Sequence, residues 1–183
     1  RSQMDFPRLE NGLYPRELWM TEVYVPNSDH DADTWPEAVE VAVNMHNALV
    51  VGGMNAYVWW YIRRSYSPMK ENGQISKRGY MMAHFSKYIR PGAVRVDATE
   101  FPANDVYVSA YKNYDGTLVI VAINHSNTAY AQQFNVSGKT IKNVNRYRTS
   151  SNENLAFTKS LALTGNGFWA QLNAKTVSTF VVS

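Results

Sequence analysis

Two stretches limit what this chain can fold into more than any other feature: residues 17–24, ELWMTEVY, and residues 56–66, AYVWWYIRRSY. A strand lying on a surface alternates polar and apolar side chains. Here apolar and aromatic residues run almost unbroken and turn polar only at the end, as in strands covered on both faces. Each run is followed by a loop and then by helical periodicity. After the first comes the polar loop VYVPNSDHDADTW, and then Thr34-Trp35-Pro36-Glu37, which fits a capping box with Thr34 as cap and Pro36 in the first turn. Val39, Ala42, Val43, His46, Leu49 and Val50 then recur at helical spacing until Gly52-Gly53. The second strand, residues 54–61, leads through the loop 62–75 to a helix over about 77–90. Met81, Met82, Phe85, Tyr88 and Ile89 form its apolar side, and Pro91-Gly92 stops it. Strand, loop and helix twice in succession is the pattern of parallel β/α units, whose reactive groups stand at the carboxyl ends of the strands. Glu22 holds that position in the first unit, and Arg63, Arg64 and Tyr66 in the second.

Beyond Gly92 the period shortens to that of strands. Residues 94–96, 106–111, 118–123, 133–136, 144–148, 161–163, 168–172 and 176–182 are short strand candidates, separated by turn signals such as Asp115-Gly116 and Gly165-Asn166-Gly167. That many short strands predict an antiparallel β-sandwich over residues 91–183. Two strand-helix units cannot close a barrel, which needs eight, so residues 1–90 read as the last quarter of a (β/α)8 barrel, its seventh and eighth units. Residues 1–16 carry Pro7, Gly12 and Pro15 without periodicity and read as a loop. The chain opens on Arg1 with no cationic-apolar leader, the look of a processed or truncated start.

Composition narrows the partners. Over 183 residues, 45% are apolar and 18% charged, an ordinary globular balance, and no apolar run reaches membrane-spanning length. A net charge of +3 without a basic block argues against nucleic acid. Without cysteine there is neither a disulfide framework nor a thiolate metal site. The four histidines lack ligand spacing, and His46 and His84 read as satisfied structural residues. Asp29, Asp31 and Asp33 imitate a calcium loop, but Thr34 stands where that loop needs glycine. Asn124-His-Ser126 and Asn135-Val-Ser137 are glycosylation sequons, relevant only in a eukaryotic secretory host. Five Trp and twelve Tyr are the unusual feature, because flat aromatic faces are what sugar rings stack on.

The pairing of LWMTEVYVPNSD with AYVWWYIRRSYSPMKENGQISKRGYMMAHFSKYIRPG, together with DVYVSAYK, VIVAINHSN and TVSTFVVS in the second half, closely resembles the bacterial glucuronoxylanases of glycoside hydrolase family 30. The resemblance implies a secreted retaining endo-xylanase, built from a barrel and a side β-sandwich, that cuts glucuronoxylan where a glucuronate or methylglucuronate branch directs it and needs no cofactor. It implies that Glu22 is the nucleophile and that Ser28, Trp60, Tyr61, Arg64 and Tyr66 hold the branch. The chemistry suits those roles. A retaining hydrolase needs an ionised carboxylate roughly 5 Å from a protonated one. A guanidinium takes a carboxylate through a paired bond, hydroxyls complete it, and an aromatic face stacks on the sugar. The family's acid sits at the end of the fourth barrel strand, which this chain does not contain. Glu17, Glu37 and Glu71 lack a comparable strand-end context.

Each assignment has a plainer competitor. Glu22 would serve as a structural ion-pair partner, and Arg64 as a bridge to a neighbouring carboxylate. Strand alternation puts Arg63 on the face opposite Arg64, and Trp59 in the core opposite Trp60. Read without the barrel, the second half is an alternative function: a carbohydrate-binding module stacking polysaccharide on Tyr107, Tyr111, Tyr147 or Trp169. A third reading is an inert fragment that folds only with an amino-terminal partner, a strand of which the resemblance places in the sandwich.

Overall fold

The computed structural model describes residues 17–24 and 31–183. Residues 1–16, Ser28 and Asp29 lie outside the described residues. The two apolar runs form β1 (Trp19–Val23) and β2 (Ala56–Trp59), paired in parallel. Between them runs α1 (Val39–His46), continued by a π-helical turn at Asn47–Val51. α2 (Lys77–Ser86) follows β2.

Eight further strands follow: β3 (Val94–Val96), β4 (Val106–Lys112), β5 (Leu118–Asn124), β6 (Tyr130–Asn135), β7 (Val144–Thr149), β8 (Ala156–Ser160), β9 (Gly167–Leu172) and β10 (Thr176–Val182). They form an antiparallel six-stranded sheet, ordered β3-β4-β5-β10-β7-β8, facing the antiparallel pair β6-β9.

Alternation along β5 explains how the layers are held. Ile120 and Ala122 point into the sandwich with Val108, Phe134, Phe168 and Phe180, where the Phe134 and Phe168 rings stack at 5.0 Å. Val119, Val121 and Ile123 point the other way, into a second core with Val39, Val41, Ala42 and Met45 of α1, Met81 and Phe85 of α2, and Trp59 of β2. β5 is therefore apolar on both faces because both are covered, one by a sheet and one by helices.

Several boundaries differ from the sequence expectation, each for a local reason. Thr34 does not cap α1. Residues 31–41 wind through short-range turns, with Thr34 N–H donating to Asp31 O and Val39 N–H to Pro36 O, and the helix begins after Ala38 without a side-chain cap. The Asp31 carboxylate draws in the Asp33 N–H at 2.8 Å, so local acceptors compete with helix initiation. The α2 helix ends at Ser86, but turn bonds such as Ile89 N–H to Phe85 O carry the chain to Ile89. Residues 161–163 are not a strand. β8 lies just before them, its AFTKS pattern on the sheet edge carrying too few apolar residues to stand out. β6 begins at Tyr130, three residues before the expected start at Gln133.

Candidate active site

The carboxyl end of β1 is bulged. Met20 pairs with Tyr57 and Val23 with Trp59, so three residues of β1 advance against two of β2. Such a bulge re-aims side chains at the rim of a sheet. It keeps Val23 packed on the helix side with Trp59 while Thr21 and Glu22 open to solvent. The Glu22 carboxylate has no hydrogen-bond or ion-pair partner among the described residues. Trp60 N–H donates to Val23 O at 2.8 Å, which fixes the end of β2 beside the end of β1.

β2 stops at Trp59, before the predicted end at residue 61, and the chain leaves it through a cis Trp60-Tyr61 peptide. Trp59 is buried, as alternation predicts, while Trp60 and Tyr61 are exposed with ring centroids 4.2 Å apart. The Arg64 guanidinium carbon lies 4.6 Å from the Tyr61 ring centroid, a cation–π contact. Arg64 Nη1 donates to the Arg63 carbonyl at 3.1 Å and lies 3.9 Å from a Glu71 carboxylate oxygen. The expected opposite orientation of Arg63 does not hold, because pleated alternation has already ended. Its guanidinium also reaches Glu71, donating through Nε and Nη2 to the Glu71 carbonyl, with Nε 3.8 Å from the carboxylate. The plainer reading of Arg64, a bridge to a carboxylate, is thus present as a loose contact in an exposed cluster.

The loop carrying these groups is anchored from beneath. The buried Arg78 donates from Nη1 to Tyr66 O at 2.8 Å, and Ala32 N–H donates to Ser65 O at 2.9 Å, joining the segment after β1 to the segment after β2. Ser76 caps α2 by accepting from Gly79 N–H, and its hydroxyl donates to Ser67 O at 2.7 Å. Asp33, one of the calcium-like acids, accepts from Lys70 Nζ at 2.7 Å and from Lys77 N–H at 2.8 Å. Those contacts hold its carboxyl below the usual range against the opposing effect of burial. Sequence reading passed over Arg78, Ser76 and Lys70. The SKRG segment did hold a legible cap in Ser76, placed before the first helical turn.

The structure brings Trp60, Tyr61 and Arg64 together beside the strand end that carries Glu22. Tyr66 is half-buried in the same loop, held there through its backbone. Among the described residues no group of three His, Cys, Asp or Glu could hold a metal, and no helix is long and apolar enough to cross a membrane. Of the four aromatics considered for stacking polysaccharide, Tyr111 is buried, Tyr147 packs between Tyr88 and Phe157, and Tyr107 packs against His46 and Phe101. Only Trp169 stands exposed. The Asn124 sequon is closed, since that side chain is buried and donates to Thr128 O and Leu172 O.

Residues 92–180 match the family model described as the glycosyl hydrolase family 30 beta sandwich domain. The whole chain is 56% identical to glucuronoxylanase XynC of Bacillus subtilis and spans 43% of that relative's length. Among solved structures, a GH30 endoxylanase from Clostridium papyrosolvens C71 superposes with a TM-score of 0.84 at 40% identity, over 92% of this chain and 42% of that one. The glycoside hydrolase family 30 subfamily 8 xylanase Xyn30A from Clostridium acetobutylicum gives 0.83 at 36% identity, over 92% and 43%. The architecture is the expected one, strand-helix units of the barrel type followed by an antiparallel β-sandwich. Residues 92–180 are thus similar to the β-sandwich domain of glycoside hydrolase family 30, and the chain along its whole length is similar to a bacterial glucuronoxylanase.

Proposed function

We propose that the chain supplies the nucleophile and the branch-reading side of a secreted, retaining glucuronoxylan endo-xylanase. In this reading residues 1–90 belong to its catalytic barrel, residues 91–183 form its side sandwich, and the general acid comes from a barrel segment outside the chain. The observation that carries it is the placement of Glu22, on a bulged strand end, beside an exposed cluster of Trp60, Tyr61 and Arg64. Glu22 attacks the anomeric carbon of a xylose unit while the acid protonates the departing oxygen, and water then releases the glycosyl-enzyme. Arg64 binds the carboxylate of a glucuronate branch, Tyr61 and Trp60 flank its sugar ring, and Ser28 and Tyr66 add hydroxyls.

The test uses the enzyme completed by a barrel segment such as its relatives carry. Glu22→Gln removes the attacking charge but keeps the shape, so turnover falls by roughly three orders of magnitude or more while substrate still binds. A fluoroglycoside inactivator labels Glu22 covalently in the parent. Labelling of another carboxylate, or a variant within about tenfold of the parent, removes Glu22 from the role. A charge-assisted bond contributes on the order of 1.5–3 kcal/mol, so Arg64→Ala lowers kcat/KM on glucuronoxylan by roughly 10- to 150-fold and leaves unbranched xylan nearly unchanged. Equal losses on both polymers would make Arg64 a support of the barrel end and leave an unspecified β-glycan as substrate.

A further inference from the structure

Two guanidiniums side by side at a strand end repel each other unless a counter-charge lies between them, and here that charge is Glu71. It sits in the tight turn between Lys70 and Gln74, where Lys70 N–H donates to Gln74 O and Gly73, at φ 83°, closes the turn. The two arginines hold it differently. Arg63 grips the backbone, donating from Nε and Nη2 to the Glu71 carbonyl. Arg64 makes no hydrogen bond to Glu71. Its Nη1 stands 3.9 Å from one carboxylate oxygen, while the guanidinium is held by the Arg63 carbonyl and by the Tyr61 ring. The backbone N–H of Arg64 donates to Met69 O at 3.1 Å, and the remaining guanidinium N–H groups make no hydrogen bond among the described residues. Both Glu71 and Arg64 are exposed, so the contact is screened and easily exchanged.

We infer that Glu71 is a specificity-tuning residue: a resident carboxylate that shares Arg64 with an incoming one and lowers the site's affinity for acidic saccharides. This deepens the proposed reading of Arg64 and rests on it. Arg64 is positioned by Arg63 and Tyr61 rather than by Glu71, so neutralising Glu71 leaves the guanidinium in place and removes only a negative charge beside the bound anion. Arg63 is then a positioning residue that holds the Glu71 turn. The carboxylate it fixes keeps the arginine pair from acting as a general anion trap, so that binding energy has to come from a sugar stacked on Trp60 and Tyr61 as well as from charge.

The experiment measures binding at low salt, by calorimetry and by the Trp60 indole N–H signal, to the enzyme completed by a barrel segment such as its relatives carry, in a Glu22→Gln background so that the oligosaccharides are bound and not cut. The ligands are xylotriose carrying one glucuronate, uncharged xylotetraose, and free acetate as the minimal anion. Glu71→Gln tightens the acidic oligosaccharide about 3- to 10-fold, tightens acetate in proportion, and steepens the salt dependence of both. Xylotetraose is unchanged. A structural role for Glu71 predicts the opposite, weaker binding of charged and neutral oligosaccharide alike, and that result overturns the inference. A parent that prefers the acidic oligosaccharide, with the preference lost in Arg64→Ala but unaltered in Glu71→Gln, overturns the inference and leaves the reading of Arg64 standing. A parent with no preference for the acidic ligand overturns both.

Discussion

His84 shows how a single polar side chain can be made part of a core. It is fully buried between α2 and the six-stranded sheet, and hydrogen bonds fix its tautomer. The Thr179 hydroxyl donates to His84 O at 3.0 Å, so it accepts from Nδ1–H at 2.8 Å. Nε2 is left to accept from the Thr149 hydroxyl, also at 2.8 Å. Nothing remains for a second proton, and burial pushes its pKa down to about 3. His46 is equally buried, but the expectation that it would be satisfied fails. Its ring nitrogens find no partner among the described residues, and it packs edge-on against Phe101 and Tyr107. Burial first, and then the charge of Arg95, lower its pKa to about 4. Both folded values lie below the unfolded one near 6.5. Below that pH the unfolded chain binds protons that the native chain refuses. The stability they contribute is therefore complete above pH 6.5 and lost as the pH falls toward 4, by up to ~1.4 kcal/mol per pH unit for each histidine. Thermal melts between pH 7 and 4.5 should show this slope before the carboxylates titrate. His84→Gln should start from a lower midpoint and flatten it. An unchanged slope in that variant would mean that other groups set the acid limit.

At the scale of elements, α2 is the piece on which the candidate site rests, and its first turn leaves no room for substitution. A Cβ added at Gly79 would stand 2.2 Å from the Pro68 carbonyl, a backbone atom of the loop that carries Arg63, Arg64 and Tyr66. Gly79→Ala should therefore cost roughly 1–3 kcal/mol and displace that loop. A lowered melting point with weakened binding of acidic oligosaccharide checks this, whereas full stability would show that loop and helix can slide apart freely. How much of these elements was legible follows from what makes them stable. The strands at 106–112, 118–124 and 176–182 were readable because their apolar content answers to two covered faces. β8 escaped because an edge strand is held by backbone bonds to one neighbour. The strand-end context of Glu22 and the core position of Trp59 were readable from alternation and position. The convergence of Arg63 and Arg64 on Glu71 was not, since it depends on where β2 stops, and tertiary bonds such as Trp60 to Val23 decide that.

For the molecule as a whole, the two sheets of the sandwich are unequal. Six strands face two, and beside the pair a groove of about 940 Å³ runs over Val96, Val108, Ala110 and Ile120 to the edge of β6. An unpaired strand edge beside a groove floored by core side chains favours association. On the proposed reading, a strand from an amino-terminal barrel segment would cover it. The chain alone should therefore self-associate or melt without a sharp transition, and addition of an amino-terminal barrel segment should raise its melting point. A monomer on gel filtration that melts cooperatively with an intact near-ultraviolet signal would show that no such segment is required.

The two cores that meet on β5 bear on how this protein can be taken apart. Val119, Val121, Ile123 and Val177 belong to the sandwich by sequence, yet their apolar partners are on α1, α2 and β2. Lys77 at the start of α2 adds a polar tie, with Nζ donating to Ser150 O, Glu153 O and Asn154 Oδ1. That turn is itself braced by the paired Arg148–Glu153 bonds at 2.6 and 2.7 Å. A cut near residue 90 would separate two sequence patterns but leave each half with a bare hydrophobic wall. Anyone grafting this sandwich onto another scaffold would need to carry its helices along, as a graft carries its own bed of tissue.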